Sequence, residues 1–109
     1  PVPSLYLVNG ELSQKAKQGR KVFEKMECDK CHSGPYYTDM SMHRIGEDVE
    51  FEQGWDTPTL IEVWRTAPYL FDGRAATVEE MLEVHKHGLD KKKISKKELE
   101  ELAEYVKSL

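Results

Sequence analysis

Two stretches of the chain repeat apolar side chains at helical spacing, one near each end. Leu12, Ala16, Gly19, Phe23 and Met26 form the first stripe, and Ser13 is placed to cap its start. Leu99, Leu102, Val106 and Leu109 form the second, with Ala103 and Tyr105 at its edges. Ser95 and Glu98 have capping-box spacing there, and Ile94 with Leu99 fits a hydrophobic staple. A third helix is predicted at TVEEMLEVHKHG, where Thr77 and Glu80 repeat the capping box and Gly88 can end the helix. A short fourth is predicted at TPTLIEVWRT, with Thr57 capping, Pro58 in the first turn and a stop before Pro68. Between Gly34 and Trp55 the pattern lacks long periodicity and predicts a loop, with a short extended piece around Ser41 to Ile45. No alternating strand set is visible. The expectation is an all-α domain whose first and last helices bury their stripes against each other. It spans residues 13–109, behind a loose lead-in or linker over 1–12. Pro1 and Pro3 oppose a helix in that lead-in, and Asn9-Gly10 marks a turn.

Composition narrows the picture. At 109 residues the chain has room for one domain with one modest core. Charged residues make up 33% and hydrophobic ones only 39%, a lean apolar supply that a large buried cofactor would supplement. A net charge of −4 argues against nucleic acid as a partner. No apolar stretch approaches the length of a membrane span. The start, PVPSLYLVNGELS, has no basic region followed by an apolar one. The expectation is that any signal peptide has been removed, or that the chain is an excised part of a longer protein.

The chemistry concentrates in CDKCH, residues 28–32, which holds both cysteines of the chain. Three uses compete. A redox disulfide of the thioredoxin kind needs a strand before it and a βαβ frame, whereas an amphipathic helix precedes this one. Structural zinc needs four donors, usually as two spaced pairs. The second pair would come from His32, His43, His85 and His87, whose spacing is poor for it. Covalent haem attachment accounts for all five residues: Cys28 and Cys31 add to the two vinyl groups, and His32 gives a ring nitrogen to the iron. The other nitrogen of His32 needs an acceptor to fix the tautomer, and the Pro35 carbonyl in the following SGPYY loop is the candidate.

CDKCH after an amphipathic helix, with a capped helix at the far end, resembles a class I c-type cytochrome. In that family the terminal helices cross through a small residue on one and an aromatic on the other, which implies Gly19 and Tyr105 here. Residues 19–109 resemble more narrowly the C-terminal haem domain of the bacterial di-haem cytochrome c peroxidase and MauG-like family. The carriers are the CHxGPxxTD run, the HxIG step, TPTL, and the APYxxDG loop followed by a TxEE helix. There are departures: Ile61 and Glu62 stand where the family often has Arg-Asn, and Phe71 where it usually has histidine. The N-terminal haem domain, where those enzymes meet peroxide, has no counterpart in these 109 residues. The resemblance therefore implies the electron-relay half and not the peroxidase mechanism.

The sixth iron ligand is open at this stage. The loop expected to supply it, APYLFDG, has no methionine but contains Tyr69, and tyrosine can ligate haem iron. Met42 is the best-placed methionine before that loop, with Met40 and His43 beside it; Met81 and Met26 fit core positions. Trp55, Trp64, Tyr36, Tyr37 and Phe71 are candidates to wall a haem. Arg44, Arg65 and Arg74 are candidates to pair with its propionates, with Arg74 first. Lys91 to Lys93 with Lys96 and Lys97 form a basic turn that could steer an acidic partner. The expected function is single-electron transfer by one haem c, toward a redox partner protein or a fused haem or enzyme domain, in the bacterial periplasm or another exported location. A peroxidase-related domain with an open sixth position and a zinc-stabilised binding module are the competing expectations.

Overall fold

The computed structural model describes residues 1–43, 55–70, 73–89 and 93–109. Its frame is set by two crossing helices, α1 (Gln14–Lys25) and α3 (Lys96–Lys107), with the short α2 (Val78–Glu83) packed on α3. The Ser13 side chain accepts the Ala16 N–H and starts α1. Ser95 accepts the Glu98 N–H while Glu98 accepts the Ser95 N–H, so both halves of the expected capping box form. The apolar stripes meet in one core that includes Ala16, Phe23, Leu102 and Val106.

The crossing is close because Gly19 has no side chain. A Cβ there would lie 1.8 Å from the Glu101 carbonyl oxygen and 2.7 Å from the Tyr105 Cβ. The architecture is all-α, with crossed terminal helices. Among the described residues, strand structure is confined to two-residue pieces, β1 (Met42–His43) antiparallel to β2 (Trp55–Asp56); β1 falls within the expected extended piece, whose positions 44 and 45 lie outside the described residues.

Three expectations are corrected. TPTLIEVWRT does not form a helix; its regular part is one 3₁₀ turn, Val63–Arg65. The threonines that would cap a helix bond across the fold instead. Thr57 donates both its backbone N–H and its hydroxyl to the Ser41 carbonyl, and the Thr59 hydroxyl donates to the Tyr36 carbonyl. Glu62, at φ 63°, then turns the chain out of helical geometry.

The predicted third helix stops at Glu83, five residues short of Gly88, because Lys86 takes the left-handed turn at φ 54°. The lead-in is not loose. Asn9 and Gly10 form a tight turn closed by two Val8–Glu11 backbone bonds. Ser4 is buried, its hydroxyl donating to the Lys107 carbonyl, and the Val2 N–H donates to Glu62 at 2.6 Å. Arg44, the Trp55 side chain, Phe71, Lys91 and Lys92 lie outside what is described. Among the described residues no helix is long and apolar enough to cross a membrane.

Candidate functional site

Helix α1 ends at Lys25 with Met26 as its C-cap, and Glu27 reverses the chain in the left-handed region at φ 63°. A 3₁₀ turn, Cys28–Lys30, follows, and the His32 N–H closes it on the Cys28 carbonyl at 2.9 Å. That turn sets Cys28, Cys31 and His32 along one wall of a cavity of about 780 Å³. The two thiols are not joined as a disulfide. Phe23 of α1 and its C-cap Met26, Leu102 and Val106 of α3, Leu60, Val63 and Leu82 give the cavity an apolar interior. The segment expected to be a helix, from Thr57 to Leu60, is instead a strip of its lining.

His32 is held by the loop that follows it. Gly34 to Tyr37 is a turn with Pro35 at its second position and the Tyr37 N–H on the Gly34 carbonyl. Tyr37 has φ 54°, and its carbonyl lies 3.1 Å from His32 Nδ1. The partner of Nδ1 is therefore the Tyr37 carbonyl and not that of Pro35. A carbonyl only accepts, so Nδ1 carries the proton and Nε2 keeps a lone pair for a metal. Burial lowers the His32 pKa, against the opposing pull of the Tyr37 and Pro58 carbonyls. The ring is thereby biased to the neutral form that binds metals. The Tyr37 hydroxyl pairs with that of Tyr105 at 3.0 Å, and Phe23 packs edge-on to both rings. The helix crossing thus reaches the candidate ligand through one tyrosine.

The remaining candidates are distributed unevenly. Tyr69 lines the cavity, but its hydroxyl donates to the Val63 carbonyl at 2.8 Å, and burial raises its pKa. Both effects oppose the tyrosinate that an iron would take. Met42 and Met81 line the cavity; Met42 is 46% exposed and Met40, at 87%, stands in solvent. Among the described residues that line the cavity, neither Pro35 nor Arg74 appears. Arg74 is half-buried elsewhere, and Tyr36 is exposed.

His87 lines the cavity with its ring centre 6.4 Å from that of His32. Sequence reasoning weighed it only as a zinc donor, because nothing in the HKHG spacing points toward CDKCH. Cys31, Asp39 and His43 also converge, each offering a donor atom within 4.8 Å of the others. His43 Nε2 is 2.7 Å from Asp39, and that bond is the main cause of the lowered Asp39 pKa.

The donor set and the size of the cavity fit a haem. The cavity lies within the range of about 300–1,000 Å³ usual for cofactor pockets. The thiol pair and a tautomer-fixed imidazole sit on its wall.

No protein-family model matches the chain, and neither does any curated protein. Its fold is similar to that of a chain in a structure of Kuenenia stuttgartiensis hydrazine synthase pressurized with xenon, with a TM-score of 0.75 at 22% identity. That likeness covers 99% of this chain and half of the neighbour's, and it bears on the fold alone.

Proposed function

We propose that the chain is a mono-haem c-type cytochrome domain that relays single electrons. Haem would be bonded through Cys28 and Cys31, with His32 on the iron. The observation that carries the reading is one apolar cavity walled by both thiols and by an imidazole whose Nδ1 is fixed on the Tyr37 carbonyl.

When bound, the haem supplies a reversible one-electron couple. The chain does the rest. Leu60, Leu82, Leu102 and Val106 exclude water, so charge on the iron is set by the protein's own dipoles. Tyr37 holds the proton on Nδ1 and orients the ring. No side chain has to act as acid, base or nucleophile. A redox partner protein or a fused haem domain would exchange the electron. Because bacteria attach haem c outside the cytoplasmic membrane, the domain would work in the periplasm or after export.

The test is expression with a c-type haem maturation system. Cys28→Ser and Cys31→Ser should each leave a single thioether, read as a characteristic shift of the alkaline pyridine haemochrome band. The wild type should accept an electron from a small reductant without turning over peroxide. Peroxide turnover by wild type would favour the peroxidase-related reading.

A second reading follows from Cys31, Asp39 and His43, which could hold a zinc ion with water as fourth donor. Cys31 cannot serve both, since a thioether sulfur is no longer a thiolate. That reading predicts a colourless protein that a chelator destabilises.

A further inference from the structure

We infer that His87 is the sixth ligand of the haem iron, on the opposite side from His32. The inference rests on the haem reading above and adds to it the spin state and the closure of the iron.

The ring spacing is compatible with two imidazoles sharing one metal. An imidazole nitrogen sits about 2 Å from the first-row metal it binds. The ring centre lies roughly 1.1 Å behind that nitrogen, for ring bonds of partial double character. Two rings on opposite sides of one iron then have centres about 6 Å apart. The His32 and His87 centres are 6.4 Å apart, with the planes inclined at 50°. Ring pairs in simple contact span a similar range, so the distance needs support.

Three further observations give it. Both rings line the same cavity as the two thiols. The Nδ1 side of His32 is committed to the Tyr37 carbonyl, which leaves Nε2 for the metal. The backbone of His87 is fixed as well: its N–H donates to the Met81 carbonyl at 3.2 Å, just after the left-handed Lys86 has turned the chain back. The early end of α2 is what carries His87 to the cavity, since a helix continued to Gly88 would have taken another path.

The competing donors are weaker. Tyr69 spends its hydroxyl on Val63. Met42 is close to half exposed, a poor setting for a thioether whose ligation depends on shielding from water. Met81 lines the cavity and is the strongest rival.

Two imidazoles fill both axial positions. The iron would be low-spin and closed to peroxide, with a lower potential than a His–Met centre would have.

The test uses the haem-loaded protein, with intact mass measured first. Ferric wild type should give a low-spin bis-imidazole signature in electron paramagnetic resonance and lack the far-red methionine–iron charge-transfer band. His87→Ala should keep its covalent haem, become high-spin, and return to low-spin when free imidazole is added. His87→Met should gain the methionine band and a higher midpoint potential. Met81→Leu and Met42→Leu should leave the spectrum unchanged. A methionine band or a high-spin spectrum in wild type would overturn the assignment, as would a His87→Ala protein that stays low-spin without imidazole. A polypeptide mass with no haem would overturn the parent reading too, and the mass separates that failure from this one.

Discussion

At Tyr37 one residue serves two structural ends. Its carbonyl holds His32 Nδ1, and its hydroxyl meets Tyr105 on α3. Tyr37→Phe keeps the carbonyl and the edge-on contact with Phe23 but removes the hydroxyl pair. The expected loss is about 1 kcal/mol of unfolding free energy, the usual net value of such a bond, measured by denaturant titration. Tyr105→Phe should cost a similar amount, and the double variant less than the sum, because both remove the same bond. Cys28, Cys31 and His32 stood out in the sequence because CxxCH is a short, self-contained pattern, and the fold sets all three on one cavity wall. The acceptor for His32 was not. Pro35 signals a turn, but which carbonyl that turn aims at His32 depends on the left-handed φ of Tyr37, and tyrosine gives no hint of it. His87 escaped for a related reason. It lies 55 positions from His32 along the chain, and only the chain reversal at Lys86 joins them.

Helix ends and the helix crossing are where the sequence spoke most plainly, since local chemistry decides both. Ser95→Ala should cost about 1 kcal/mol, as N-cap losses usually do. Gly19→Ala sets two effects against each other. Alanine favours a helix over glycine by about 1 kcal/mol. The new Cβ, however, meets the Glu101 backbone, which cannot move aside as a side chain would. Overpacking of this kind costs about 1–3 kcal/mol, so a net loss of stability is expected, with both terminal helices melting together.

Glu98 adds a pH dependence. Its carboxyl is held below the ordinary value chiefly by Lys25, at 2.7 Å, and next by the Ser95 N–H. A carboxyl depressed in the folded state stabilises above its unfolded pKa, and that stability is lost as pH falls through the folded value. Glu98→Gln retains capping-box chemistry and should flatten this part of the acid limb in urea titrations across pH. The TPTL segment shows where local reading fails. Thr57 and Pro58 are good helix-start residues, yet bonds from Thr57 to Ser41 and from Thr59 to Tyr36 tie the strip across the fold as cavity lining. Such long-range competition leaves no trace in a short window.

For the whole molecule, the expected large cofactor and the observed cavity bear on the same shortage. A chain this short, with 39% hydrophobic residues, encloses about 780 Å³ between its terminal helices and its loops. The N-terminal segment adds a strap, tied through Ser4 to Lys107 at the end of α3 and through Val2 to Glu62, just before the 3₁₀ turn Val63–Arg65. Its proline-rich start suggested a loose lead-in, because the partners that anchor it are 60 and 103 positions away along the chain. Filling the cavity should stabilise the folded state, so the haem-loaded protein should unfold at a higher temperature than the haem-free chain. The most direct measurement of the central claim is the intact mass and absorption spectrum of the matured wild-type protein. The account predicts the mass of the polypeptide plus one haem, resistant to denaturation and acid extraction, with a Soret band that sharpens on reduction. A mass equal to the amino acids alone, with no Soret absorption, would contradict it.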